Sequence, residues 1–230
     1  MKYISIAIIA LTMSISSAQK KDNSLNISQR TDKVIDSLAI DFLSDSLITS
    51  LSVGVFNDGR EIVKYYGELD EGKLNTPSNK TLYDIGSVTK TFVGTLMAKA
   101  EIEGKLSLND DIRKFIDGEY ANLEYRGQPI RIRHLITHTS RLPRSLPLSL
   151  QAEFSQIDET LAARLDAIEG KYTKDDFFKD LKRVSLDTIP GVRYEYSGIG
   201  AEIASYILEK VYELSFEEVL KEHLFSEAQM

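Results

Sequence analysis

The sequence predicts an α+β protein, and three of its stretches carry that reading. "SLSVGVFNDGREIVKYYGEL" holds two β-rich runs around Asn57-Asp58-Gly59, residues suited to the positive φ of a tight turn, so it reads as a hairpin. After Ser87, the residues Phe92, Val93, Leu96, Met97 and Ala100 recur at helical spacing. From about Gly200 the chain is strongly helical again. One early hairpin followed by mostly helix separates sheet from helices along the chain. A lone hairpin is barely stable, so these strands need partners that the remaining sequence does not obviously supply.

Taken in order, residues 1–18 read as a secretion signal: Lys2 is the positive start, Ile4 to Ile15 the apolar stretch, and Ser16 and Ala18 the small residues before a cleavage site. That stretch is too short to span a bilayer comfortably. Residues 19–26 form a polar linker, and 27–230 one domain. Within it, Val34, Ile35, Leu38, Ala39 and Phe42 predict a short amphipathic helix over 33–43. After the hairpin, a helix begins near Ser87 and stops near Gly104. "KLSLNDDIRKFI" and "PIRIRHLITH" read as a turn followed by helical segments. Helical stretches are expected around 157–168 and 174–183, with a turn at Pro190-Gly191. The sheet lobe takes 27 to about 84, and the helical lobe roughly 105–190.

The chain has 230 residues, 42% hydrophobic and 27% charged, with a net charge of −7. An acidic balance without a basic block argues against nucleic acid and against electrostatic docking on anionic lipid. The absence of cysteine removes disulfides, thiolate nucleophiles and thiolate metal sites. The expected partner is a small-molecule or peptide substrate, the expected location the periplasm or outside the cell, and no cofactor is implied.

"GSVTK" sets Ser87 and Lys90 three positions apart, on one face of a helix turn. Serine becomes a nucleophile when a neighbour takes its proton, and a lysine does so when its amine is kept neutral. The same spacing occurs at Ser17-Ala18-Gln19-Lys20, so the tetrapeptide alone decides nothing. "PGVRYEYSGIG" adds Tyr196, which follows a Pro-Gly turn and precedes a long helix. A tyrosine there shuttles protons if lysine charge lowers its pKa. His134 and His138 stand four apart, as helical zinc ligands do, but Leu135 occupies the place of the general-base glutamate.

In order, "LYDIGSVTKTFVGTLMAKAEIEGKLSLNDDI", "IRIRHLITHTSRLPR" and "PGVRYEYSGIGAEIASYILEK" closely resemble the serine β-lactamase-related family of class C β-lactamases, D-alanyl-D-alanine peptidases and esterases. The resemblance runs from about Ser52 to the last residue. It implies a β-lactamase/transpeptidase-like fold, an antiparallel sheet flanked by helices plus a helical domain, with the active site in the cleft between the lobes. It implies Ser87 as the acylated nucleophile and a coupled Lys90–Tyr196 pair as the proton carrier. Three positions depart from the pattern. Gly198 stands where the Tyr-x-Asn motif has asparagine, Arg141 where Thr-His-Thr-Ser-Gly-Leu-Pro has glycine, and Glu227-Ala228-Gln229-Met230 replaces Pro-Leu-Gly-Met. Arginine strains any positive-φ backbone that the glycine served. The resemblance covers about two-thirds of such a protein. Its later strands, its Lys-Thr-Gly or His-x-Gly motif and the second oxyanion-hole N–H are expected beyond Met230. The alternative is a non-catalytic member, or a truncated one, that binds or scaffolds.

Overall fold

The computed structural model describes residues 27–46, 48–158 and 160–229. The signal at 1–18, the linker at 19–26, the first Ser-x-x-Lys copy and Met230 lie outside the described residues. The chain divides into two compact units between Gly86 and Ser87.

The first unit opens on helix α1 (Ile27–Phe42), which starts earlier than the periodicity indicates. Ile35 and Ala39, one turn apart, are buried, whereas Val34 and Leu38 on the flank are exposed. Strands β1 (Ser50–Asn57) and β2 (Arg60–Gly67) pair antiparallel in the register Asn57↔Arg60 through Ser50↔Gly67. The two-residue turn between them carries positive φ at both Asp58 (48°) and Gly59 (76°), the mirror-image turn whose twist matches a hairpin. Gly67 ends β2 at φ 73°, where an added Cβ would stand 2.2 Å from the Thr49 carbonyl, so only glycine fits. Lys64 Nζ bridges Asp36 at 2.8 Å and Asp32 at 3.2 Å, and the Tyr66 hydroxyl donates to Asp36 at 2.6 Å, tying β2 to α1. Among the described residues, neither outer edge of this hairpin has a partner strand.

The second unit is built on helix α2 (Thr89–Ile102), which a short 3₁₀ turn, Gly86–Val88, leads into. Val93, Leu96, Met97 and Ala100 are buried, and half-buried Phe92 meets the edge of Phe225 at 5.5 Å. Gly104 (φ 70°) ends the helix, with its N–H on the Glu101 carbonyl and that of Lys105 on Ala100. The stretch after it is less helical than the sequence indicates. It holds a 3₁₀ turn at Ile112–Lys114, capped by the Asp111 carboxylate, and a miniature hairpin of β3 (Glu124–Tyr125) and β4 (Gln128–Pro129). Helix α3 (Ile132–Ile136) is five residues long, because His138 turns left-handed at φ 55°.

Helices α4 (Ser149–Glu153), α5 (Leu161–Glu169) and α6 (Lys174–Leu181) follow, the last started by a Thr173–Asp176 capping box. Helix α7 (Gly198–Tyr212) packs against α2 and α3. Seven of its residues are buried, among them Ile203, Ala204, Ile207 and Leu208. A Cβ on Gly200 would stand 3.1 Å from the Leu135 carbonyl, so glycine there lets α7 approach α3 closely. Helix α8 (Phe216–Leu220), a π turn at Lys221–Phe225 and α9 (Ser226–Ala228) complete the described chain. The architecture is α+β, with the hairpin in one unit and the helical core in the other.

Candidate active site

Ser87 sits in the 3₁₀ turn that runs into α2, exposed, with half-buried Lys90 one helical turn further on. Lys90 Nζ donates to Ser87 Oγ at 3.1 Å. The Tyr196 hydroxyl lies 2.7 Å from the same Oγ, and either oxygen can donate. The serine, lysine and tyrosine that the sequence singles out therefore stand together in the second unit.

Tyr196 is delivered by backbone lacing between two segments. Gly191 N–H donates to the Thr139 carbonyl and Glu195 N–H to that of His138, both at 2.8 Å. Gly198 N–H reaches the Arg144 carbonyl, also at 2.8 Å. Ser197 between them is the N-cap of α7: its Oγ accepts from Gly200 N–H at 3.2 Å and donates to the Pro143 carbonyl at 2.6 Å. Ser197 N–H donates to His138 Nδ1 at 3.2 Å. The same cap that starts the helix thus pins the tyrosine just before it.

Two cations flank the Tyr196 ring. Lys90 Nζ lies 5.3 Å and the Arg144 guanidinium 5.4 Å from its centroid. The His138 ring lies 4.5 Å away, tilted by 31°. Burial alone would raise the tyrosine pKa. The hydrogen bonds of Ser87 and Lys90 and the charges of Lys90 and Arg144 outweigh it, so the net shift is downward. Burial and then the charge of Lys90 hold His138 below its ordinary pKa, which favours a neutral ring with Nδ1 as acceptor.

A family model described as Beta-lactamase matches residues 35–230. The chain belongs to the Beta-lactamase family. Protein flp of Staphylococcus aureus (strain MW2) is 26% identical over 198 residues, covering 85% of this chain and 36% of that protein. A beta-lactamase of Providencia stuartii is 27% identical over 124 residues, 53% of this chain and 31% of that protein. Among solved structures, the octameric penicillin-binding protein homologue from Pyrococcus abyssi matches 86% of this chain and 43% of its own at 25% identity and a TM-score of 0.71. A beta-lactamase/D-alanine carboxypeptidase from Yersinia pestis, complexed with citrate, matches 89% and 55% at 23% identity and a TM-score of 0.72. The β-lactamase/transpeptidase-like fold follows from these likenesses. The chain spans about a third of the length of the curated relatives it matches.

The positions that depart from the family pattern each have a definite setting in this chain. A Cβ on Gly198 would stand 2.9 Å from the Arg144 carbonyl oxygen, so the backbone bond that anchors Tyr196 leaves no room for an asparagine. Arg141 keeps the positive φ of a glycine, 67°, despite a strain on the order of 1 kcal/mol. Glu227 pairs with Lys99. The two histidines part company, His134 inside α3 and His138 beyond its end, so they do not share a helix face. Among the described residues, no three His, Cys, Asp or Glu side chains gather as a metal site would require. Sequence reasoning gave no role to Arg144, the last residue of "IRIRHLITHTSRLPR", whose place beside Tyr196 comes only through the fold. It missed also Asp187 and Glu195, whose partner Arg141 lies more than forty residues earlier.

Proposed function

We propose that this chain carries the acylation machinery of an exported serine hydrolase that acts on an amide, β-lactam or ester carbonyl. The observation supporting this reading is the contact of Ser87 Oγ with the Tyr196 hydroxyl at 2.7 Å and with Lys90 Nζ at 3.1 Å. Ser87 Oγ attacks the carbonyl carbon as its proton passes to the Lys90–Tyr196 pair. The tetrahedral intermediate collapses, the bond to the leaving amine or alkoxide breaks, and the pair returns the proton to it. Water then attacks the acyl-enzyme, gives a proton to the pair, and Ser87 recovers it as the acid departs. Tyr196 suits the role because its surroundings favour the phenolate over what burial alone allows. Positioned proton transfer of this kind is worth on the order of a hundred- to ten-thousand-fold in rate.

Export rests on the pattern of residues 1–18, with cleavage after Ala18 expected. No helix among the described residues is long and apolar enough to cross a membrane. A second reading, a binding protein that keeps the fold without turnover, is favoured by Gly198, which replaces the amide of the family motif. Intact-mass measurement after exposure to a fluorophosphonate or a penicillin separates the two. Covalent mass on Ser87, absent from Ser87→Ala, is expected; a folded chain that takes no label would establish the binding protein instead.

A further inference from the structure

Among the described residues, Arg141 is a buried charged residue that the proposed chemistry leaves unused. Its side chain is 4% exposed, and its backbone holds a φ that arginine rarely adopts. Two edges of its guanidinium lead to different carboxylates. Nε and Nη2 donate to the two oxygens of Asp187, each at 2.8 Å. Nη1 lies 2.6 Å from Glu195 Oε2, a charge contact rather than an aligned hydrogen bond. Both carboxylates are more than half exposed, so the fork is anchored at its buried end.

The two acids bracket the stretch that delivers Tyr196. Asp187 stands at its beginning and Glu195 immediately before the tyrosine. Glu195 faces Arg141 while Tyr196 faces Ser87, so gripping the one aims the other. Backbone bonds Gly191–Thr139 and Glu195–His138 hold the same stretch against residues 138 and 139 through its main chain. Arg141 adds a side-chain hold at both ends, a bidentate bond to Asp187 and a charge contact with Glu195, which a lysine's point charge does not reproduce.

We infer that Arg141 is a positioning residue for Tyr196: one buried guanidinium holds Asp187 and Glu195 and thereby sets the tyrosine hydroxyl against Ser87. This rests on Tyr196 being the proton partner of Ser87, as proposed above. It also accounts for the strained backbone, because the left-handed turn aims the Arg141 side chain back at the stretch it holds.

The test uses the full chain and three changes: Arg141→Gly, Arg141→Lys, and the pair Asp187→Asn with Glu195→Gln. Glycine suits the positive φ but has no fork. The first readout is the phenolate titration of Tyr196, taken as the difference between each protein and its Tyr196→Phe counterpart. The chain has no tryptophan to obscure tyrosine absorbance. Ser87, Lys90, Arg144 and His138, the groups facing the phenol, stay unchanged throughout. Removing the arginine charge and removing the two carboxylates act on the phenolate with opposite electrostatic signs. Positioning acts with one sign: Tyr196 leaves Lys90 and ionises at higher pH in both, with Arg141→Lys in between. Labelling of Ser87 by a fluorophosphonate is expected to slow about ten- to a hundred-fold in the glycine and double variants. Shifts of opposite sign, or none, overturn the inference. If Arg141→Gly does not fold, the double variant, changed only at exposed carboxylates, decides the matter. A wild-type chain that takes no label while the titrations shift together refutes the hydrolase and leaves the positioning role standing.

Discussion

The Tyr196 hydroxyl and Ser87 Oγ lie 2.7 Å apart, although 109 positions separate them in the chain. The contact brings the first helix of the second unit to the N-terminus of its longest one. Replacing Tyr196 by phenylalanine removes the oxygen and keeps the ring against His138. Labelling of Ser87 is expected to slow by about a hundred-fold or more, within the usual range for a lost acid–base group. The rise of the wild-type labelling rate with pH should flatten in the same variant. Time-resolved intact-mass measurement across a pH series checks both. An unchanged profile would remove Tyr196 from the proton path.

Lys90 and Arg144 both favour the phenolate form of Tyr196. Changing Lys90 to methionine removes a hydrogen bond and a charge together, so the tyrosine should ionise at higher pH. Arg144→Met removes only a charge at an exposed site and should move it less in the same direction. Absorbance titration of each variant against its Tyr196→Phe partner measures this. A larger shift for Arg144 than for Lys90 would contradict the geometry.

Restoring the family's asparagine at position 198 is expected to harm this chain. Its Cβ would press on the Arg144 carbonyl at 2.9 Å, where the obstacle is backbone rather than a movable side chain. Gly198→Asn should lower stability by roughly 1–3 kcal/mol, as overpacking does. Gly198→Ala should cost nearly as much, because the first carbon makes the clash. Denaturant melts of both variants test this, and an asparagine variant as stable as wild type would disprove it.

His134 is 6% exposed, and burial, followed by the charges of Arg133 and Arg131, lowers its pKa to about 4. A folded pKa below the unfolded value means that unfolding takes up a proton between the two. The stabilisation is present above about pH 6.5 and is lost as pH falls towards 4. The full effect is on the order of 3 kcal/mol. His134→Asn keeps an acceptor for the Arg131 N–H, which now bonds Nδ1 at 3.1 Å, and does not titrate. Stability against pH should therefore fall more steeply for wild type than for His134→Asn through that window. Parallel curves would exclude the histidine as a source of acid sensitivity.

Much of this was legible in the sequence where the cause is local. Asn57-Asp58-Gly59 dictates its turn through the φ values that Asp58 and Gly59 accept. The apolar spacing after Ser87 dictates the buried face of α2. The Ser87–Lys90 contact follows from one turn of helix. Other features were not legible because their causes are distant. Nothing near "RIRHLITH" announces that His138 leaves the helix, a turn set by the bonds that residues 138 and 139 make to the 191–195 stretch. Val34 and Leu38 fit the apolar period of α1, yet burial goes to Ile35 and Ala39. Arg141 looked like a strained substitution; its compensation lies at Asp187 and Glu195, visible only once the two segments meet.

The lacing between residues 138–144 and 191–198 also brackets a long excursion of chain. Between them, α5 buries none of its residues and α4 buries only Leu150. The aim of Tyr196 is thus set by bonds on either side of α4 and α5 and by none within those helices. That separates two evolutionary freedoms. The α4–α5 part of the excursion can lengthen, shorten or change its surface to suit a new ligand while the serine–tyrosine contact stays as it is.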